Sequence, residues 1–253
     1  SLAANLRLSA TPWRGAHVYA DWVQRLSNSD NMDPGGAFAG QRHENGLATL
    51  ALQQSLWLHP AVFASAGLGL YRRHYAGAEG ELVAWVPGRD DTVHLRGMAL
   101  RRHDNDAPLP STQAFSGSYR WQWQPDTWVE GTLQRYTDGS TGPALAVTRW
   151  FGDVALNLVL RRGGSNTFAG VELSLPLAPR QAGTLGPVLL AGTQRYVQTY
   201  RMRVVARDTR GHISPGAVRP VELTLRPEAE WLNAGRVSAD HTRGQLQRLR
   251  EAF

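Results

Sequence analysis

Residues 115–124 read FSGSYRWQWQ and separate into two sets with nothing in common. In an extended chain Phe115, Gly117, Tyr119, Trp121 and Trp123 share one side, and Ser116, Ser118, Arg120, Gln122 and Gln124 the other, because successive strand side chains point in opposite directions. A helix would scatter both sets around its axis, so the spacing predicts a strand with one apolar aromatic face and one polar face. What the aromatic face looks at decides what the chain is.

The same two-residue period recurs through most of residues 2–175, broken by Gly, Asp, Asn and Pro as in a run of antiparallel hairpins. Leu2, Ala4, Leu6 and Leu8 alternate with Asn5, Arg7 and Ser9; Val62, Ala64, Ala66, Leu68 and Leu70 alternate with Ser65, Gly67, Gly69 and Tyr71. Val93, Leu95 and Ala99 are set against His94 and Arg96, and Val129 and Leu133 against Glu130, Thr132 and Gln134. In TRWFGDVALNLVLRR, residues 148–162, a tight turn at Phe151-Gly152-Asp153 leads into Leu156, Leu158 and Leu160 alternating with Ala155, Asn157 and Val159. FAGVELSLPL then places Ala169, Val171, Leu173 and Leu175 opposite Gly170, Glu172 and Ser174, and Tyr196, Tyr200, Met202 and Val204 alternate with Thr199, Arg201 and Arg203. Segment lengths match the roughly 9–11 residues with which a tilted strand crosses a bilayer. Linkers alternate between short turns and longer polar loops such as 27–36 and 102–111, the asymmetry of outer-membrane barrels.

Composition bears on the choice between lipid and a protein core. The chain has 9 Trp and 7 Tyr, and Trp57, Trp85, Trp123 and Trp150 lie near segment ends, where an amphipathic ring suits a bilayer interface. The apolar sets use Ala and Gly among Leu and Val, and the one Ile is Ile213, whereas a sandwich core needs bulkier branched residues to fill its volume. No stretch is long and apolar enough for a membrane helix; the best, GTLGPVLLAG at 183–192, contains three Gly and a Pro. All 27 basic residues are Arg, scattered singly or in pairs such as Arg72–Arg73, which offers no patch for nucleic acid. The absence of Cys excludes disulfides, thiolate metal sites and a Cys nucleophile.

These features predict an all-β fold, an antiparallel transmembrane β-barrel of about 12 strands or part of a larger one, in the bacterial outer membrane. The barrel is expected over 1–225, most securely over 2–205. Val221, Leu223 and Leu225 form a short strand-like run. From Pro227 the texture turns helical: Asp240 can cap a last helix with Leu246, Leu249 and Phe253 on one side, so 226–253 reads as a non-membrane, periplasmic tail.

TRWFGDVALNLVLRR, FAGVELSLPLAPRQ, LAGTQRYVQTYRMRVV and LNAGRVSADHTRGQLQRLREAF, in that order, resemble the C-terminal part of the YjbH/GfcD-like outer-membrane proteins associated with exopolysaccharide and group 4 capsule production. The resemblance covers about 148–253. It implies a role in polysaccharide export as channel or scaffold, with outer-membrane lipid and lipopolysaccharide, the polymer itself and other export-system proteins or the remainder of a longer barrel as partners. It carries no catalytic motif and no cofactor.

On this reading the polar faces line a lumen. Gln122, Gln134 and Asn157 would hydrogen-bond sugar hydroxyls; Arg96, Arg120 and Arg201 would pair with any uronate or phosphate; Glu130 and Glu172 would complete the polar lining. HDND at 103–106 and DGSTG at 138–142 read as turns rather than metal loops. No G-x-S-x-G elbow is present and none of the 8 His falls on a motif, so the chain is not read as an enzyme. Two alternatives remain open: a soluble or surface-attached all-β carbohydrate-binding module, and a barrel enzyme acting on lipid or polysaccharide.

Overall fold

The computed structural model describes residues 2–27, 44–71, 73–103, 112–164, 166–176, 183–185, 188–190, 195–204 and 223. The described chain is strand and turn: β1 (Leu2–Ala10), β2 (Ala16–Ser27), β3 (Gly46–His59), β4 (Val62–Tyr71), β5 (Tyr75–Trp85), β6 (Thr92–Arg102), β7 (Thr112–Gln124), β8 (Thr127–Arg135), β9 (Thr141–Phe151), β10 (Val154–Gly163), β11 (Asn166–Pro176), the three-residue β12 (Gly183–Leu185) and β13 (Val188–Leu190), and β14 (Arg195–Val204). Twelve of them form one antiparallel sheet in the order β1 through β11 and then β14, each strand beside its neighbour in sequence; β12 and β13 pair only with each other. Among the described residues no backbone pairing joins β1 to β14, so these two are the sheet edges.

Up-and-down order sends successive connections to opposite ends. Five short ones, 11–15, 60–61, 86–91, 125–126 and 152–153, lie at one end, together with the β11–β14 link. The strand ends joined through 28–45, 72–74, 103–111, 136–140 and 164–165 lie at the other, as do Leu2 and Val204. Gly152 supplies the left-handed conformation the 152–153 turn requires, at φ 63°, so the hairpin read from Phe151-Gly152-Asp153 is present. DGSTG likewise turns at 136–140 before β9 resumes. Residues 104–111 and the expected tail at 226–253 lie outside the described residues.

The sheet is amphipathic in the reverse of the soluble sense. On β7 the aromatic set is outward, with Trp121 48% exposed, while Arg120 is only 9% exposed and Ser118 is buried. The same inversion holds elsewhere. Leu68, Leu95, Leu133, Leu158, Leu160 and Tyr200 are exposed, while Thr49, Gln53, Ser65, Glu79, Glu81, Thr92, His94 and Arg161 are buried. The sheet therefore curls toward its polar face. A β-bulge between Gln122 and Gln124 ends the alternation on β7 and leaves Gln124 exposed, which corrects its expected place on the polar side.

Bulk on the inner face is matched by absence of bulk beside it. Tyr71 and Tyr75, paired across β4 and β5, pack with Ala51, Met98, Leu100 and Ala114. Gly69 and Gly77, the next inward-facing pair, are the positions that let neighbouring strands approach: a Cβ on Gly77 would collide with the Ala99 carbonyl, and one on Gly69 with that of Leu50.

The 86–91 turn is anchored by one carboxylate. Asp91, buried, accepts hydrogen bonds from the Tyr119 hydroxyl (2.7 Å) and the Gln122 backbone N–H (2.8 Å), tying the β5–β6 turn to β7. Asp91→Ala leaves both donors without that acceptor, and the loss at the part-buried Gln122 N–H costs roughly 1–3 kcal/mol, while the exposed Tyr119 hydroxyl can turn to other partners. A lowered urea midpoint of the refolded protein is the expected outcome, and an unchanged midpoint would show the turn to be held by other contacts.

A buried ion-pair network and a polar cleft on the inner face

The inner face of β5–β8 is organised around Glu130. Register sets Glu81 opposite Arg96 and Arg120 opposite Glu130, so opposite charges meet across two strand pairs. Arg96 Nε donates to Glu81 Oε1 at 2.7 Å, and its Nη1 lies 3.7 Å from Glu130 Oε1, reaching across β7. Arg120 Nε donates to Glu130 Oε2 at 3.0 Å, and the Ser118 hydroxyl donates to Oε1 at 2.6 Å. The Arg120 guanidinium also covers the Trp128 ring, 5.2 Å from its centroid. Each charge is thereby matched within the face.

Beside this network lies a cleft of about 230 Å³ lined from β6 through β14. It gathers five of the residues read from the sequence, Arg96, Glu130, Gln134, Asn157 and Glu172. Asn157 stands opposite Glu172 across β10 and β11; its Oδ1 accepts from the Thr148 hydroxyl at 3.1 Å, and Glu172 accepts from Thr199 at 3.1 Å. Gln134 donates to the Tyr136 hydroxyl, which donates in turn to the Arg162 carbonyl at 2.9 Å. Burial pushes the Tyr136 pKa above its ordinary value, more than Gln134 and Arg161 lower it, so this link stays protonated.

The remaining three stand apart. Arg120 belongs to the ion-pair network, and the Gln122 amide folds back onto the Gln124 and Pro125 carbonyls to close the β7–β8 turn. Arg201 sits at the register position opposite Gly170, on the inward set; its side chain lies outside the described residues. Ser116, Thr132 and Thr199 in the cleft and Ser65 on the wall formed by β3–β5 stand on the polar faces that the alternation assigned, without having been singled out as site residues. Sequence reading missed Arg161 in the cleft and Gln53, Ser55, Glu79 and Glu81 on the wall. The aromatic expectation also needs correction: Trp123 is outward, but Trp57, Trp85 and Trp150 share the inward parity, because each alternates with outward neighbours such as Leu56, Ala84 and Phe151.

The Thr92–His94 hydroxyl–imidazole pair on this face is arranged against nucleophilic catalysis. Thr92 Oγ1 lies 2.8 Å from His94 Nε2, while Arg96 Nη2 lies 3.2 Å from Nδ1. A guanidinium can only donate, so a hydrogen bond at Nδ1 leaves the proton on Nε2, pointing at Thr92. Such a ring cannot take the threonine proton. Among the described residues no group of three or more His, Asp or Glu is placed to hold a metal ion.

Glu130→Ala removes the carboxylate shared by Arg96 and Arg120. Arg96 retains Glu81 but Arg120 loses its ion-pair contact with Glu130, and breaking a buried pair costs on the order of 3 kcal/mol. Urea titration should show a larger loss than for Glu172→Ala, and equal losses would place the weight of the inner face elsewhere. Against known proteins the chain matches no family model, no curated protein and no solved structure.

Proposed function

We propose that the sheet closes into a transmembrane β-barrel of the bacterial outer membrane that serves exopolysaccharide export, as channel or scaffold. The observation that carries this reading is the inverted amphipathicity: apolar side chains cover the exposed face and charged ones the buried face. A fully buried Leu or Phe is favoured over an exposed one by roughly 1.5–3 kcal/mol in water, so this outer face is stable only in apolar surroundings. The shortest strands of the twelve-stranded sheet have 9 residues; at about 3.3 Å per residue and a tilt near 40° they cover roughly 23 Å, close to the apolar band of outer-membrane barrels. Closure also removes edges whose unpaired backbone groups would each cost several kcal/mol in lipid.

Twelve strands about 4.8 Å apart and tilted near 40° close at a backbone diameter of roughly 24 Å, wide enough for a single polymer chain between inward side chains. The polar cleft suits weak, repeated hydrogen bonding to a passing sugar chain. The resemblance over 148–253 supplies the polysaccharide context. The carbohydrate-module reading fits less well because a soluble sheet turns its apolar face to a core.

Since the chain lacks Cys, single Cys substitutions carry no background. A membrane-impermeant thiol reagent should label positions 134, 157 and 172, and label 121, 158 and 173 poorly. Bulky labels at the first set should reduce polymer export. Labelling without loss of export would favour a scaffold, and labelling of both sets alike would remove the membrane reading.

Closure has its own test. Paired Cys substitutions scanned along β1 and β14 should give an intramolecular disulfide at one register when the protein is assembled in membranes. Cross-linking at no register, with the interior still labelled, would mean that further strands stand between these edges.

A further inference from the structure

At the short-turn end the inner face carries aromatic rings on successive strands. Trp57 is two residues from the end of β3, Phe63 the second residue of β4, and Trp85 the last of β5. Trp57 stacks on Trp85 with centroids 5.5 Å apart and meets Phe63 edge-on at 5.3 Å. Phe63 is buried, but Trp57 is 52% exposed, so the cluster keeps an open ring face at the mouth. One residue pair deeper than Trp57 and Phe63 lie Ser55, Ser65 and Glu81, and on β5 the buried Val83 stands between Trp85 and Glu81. On that row the buried Ser55 Oγ and Glu81 Oε2 have no hydrogen-bond partner. Acceptors without donors thus lie under an aromatic surface.

We infer that Trp57, Phe63 and Trp85, with Ser55 and Glu81 beneath them, form a stacking subsite for a neutral pyranose at the short-turn mouth. The inference rests on the polysaccharide reading and adds to it the place and chemical class of a sugar contact. A pyranose presents C–H groups on its face and hydroxyls on its rim. The C–H face meets the negative face of an indole, and the hydroxyls donate to acceptors that lack donors. Glu81 Oε2 can only accept, so it takes a sugar hydroxyl and not a uronate carboxylate, which favours the neutral sugar.

Saturation-transfer NMR on the full chain in detergent, with maltohexaose and tetragalacturonate as probes, tests this. Transfer to the ring C–H protons of maltohexaose is expected, with affinity weakened about tenfold, or about 1.4 kcal/mol, in Trp57→Ala and Trp85→Ala. Trp57→Phe should keep most of the affinity, which separates stacking from misfolding, and the outward Trp121→Ala should keep all of it. No transfer to maltohexaose, equal affinity in Trp57→Ala, or tighter binding of tetragalacturonate overturns the subsite. Planar-bilayer conductance of the same preparation distinguishes the two readings. Conductance without sugar binding overturns the subsite and leaves the conduit; Trp57-dependent binding without conductance supports the subsite and overturns the conduit.

Discussion

Charges buried on the inner face of a single sheet have to be neutralised by neighbours on that face, and Glu130 is where this chain does it. Two arginines from different strands converge on its carboxylate, and one of them carries the link on to Glu81. Breaking such a set leaves a buried charge uncompensated, whereas an apolar replacement of the whole set need not destabilise. The network is therefore better understood as a device that fixes strand order and register than as a large source of stability. A one-residue slip of β7 against β8 would carry Arg120 to the outer face and leave Glu130 without it.

Among the described residues two clusters of buried apolar side chains fill the inner face apart from the Trp57–Phe63–Trp85 group. Tyr71, Tyr75, Met98 and Leu100 fill the long-loop end against β3–β7, and Trp128, Trp150 and Ala155 fill the short-turn end of β8–β10. Gly69 and Gly77 make the first cluster feasible, since side chains there would drive the strands apart. Between the clusters run the ion pairs and the cleft. The open cleft lies against β6–β14, while the inner face of β3–β5 is filled and carries the aromatic platform at its short-turn end. If the sheet closes as proposed, a polymer passing through it would meet an aromatic contact on one side and amides, hydroxyls and charges on the other.

Much of the sheet was legible because period-two alternation is written into each strand separately and needs no knowledge of partners. Phe115 to Trp121 sorted correctly onto one side, and Leu158 and Leu160 opposite Asn157, from spacing alone. What spacing does not encode is which strand positions meet. Arg96 finds Glu81 only because the turn at 86–91 has its particular length, and Arg120 finds Glu130 because the bulge at Gln122–Gln124 resets the count. The inward Trp57 was obscured for a different reason: SLWLH sets leucines on both sides of the tryptophan, so the local pattern looks apolar throughout and parity has to be carried forward from Gln53 and Ser55. Trp150 was equally hidden, since the end of a strand is where an interface ring and an inward ring look alike.

Strand parity links the tail to the closure of the barrel. Twelve strands are an even number, so the chain enters at Leu2 and leaves at Val204 on the same side, the side of the longer connections 28–45 and 103–111. A barrel closed by β1 against β14 would thus start its tail on the side of those loops. Long loops outside the cell and a tail at 226–253 in the periplasm are compatible only if the chain crosses an odd number of further times between Val204 and the tail. The stretch whose sequence alternates in that interval is Val221, Leu223 and Leu225, and Leu223 is buried. If instead there is no further crossing and the tail is periplasmic, the short turns face outward and the aromatic mouth at 57–85 opens to the exterior. The orientation of the short-turn end, the side of the tail and whether the number of crossings is even or odd are therefore one question, and an answer to any two fixes the third.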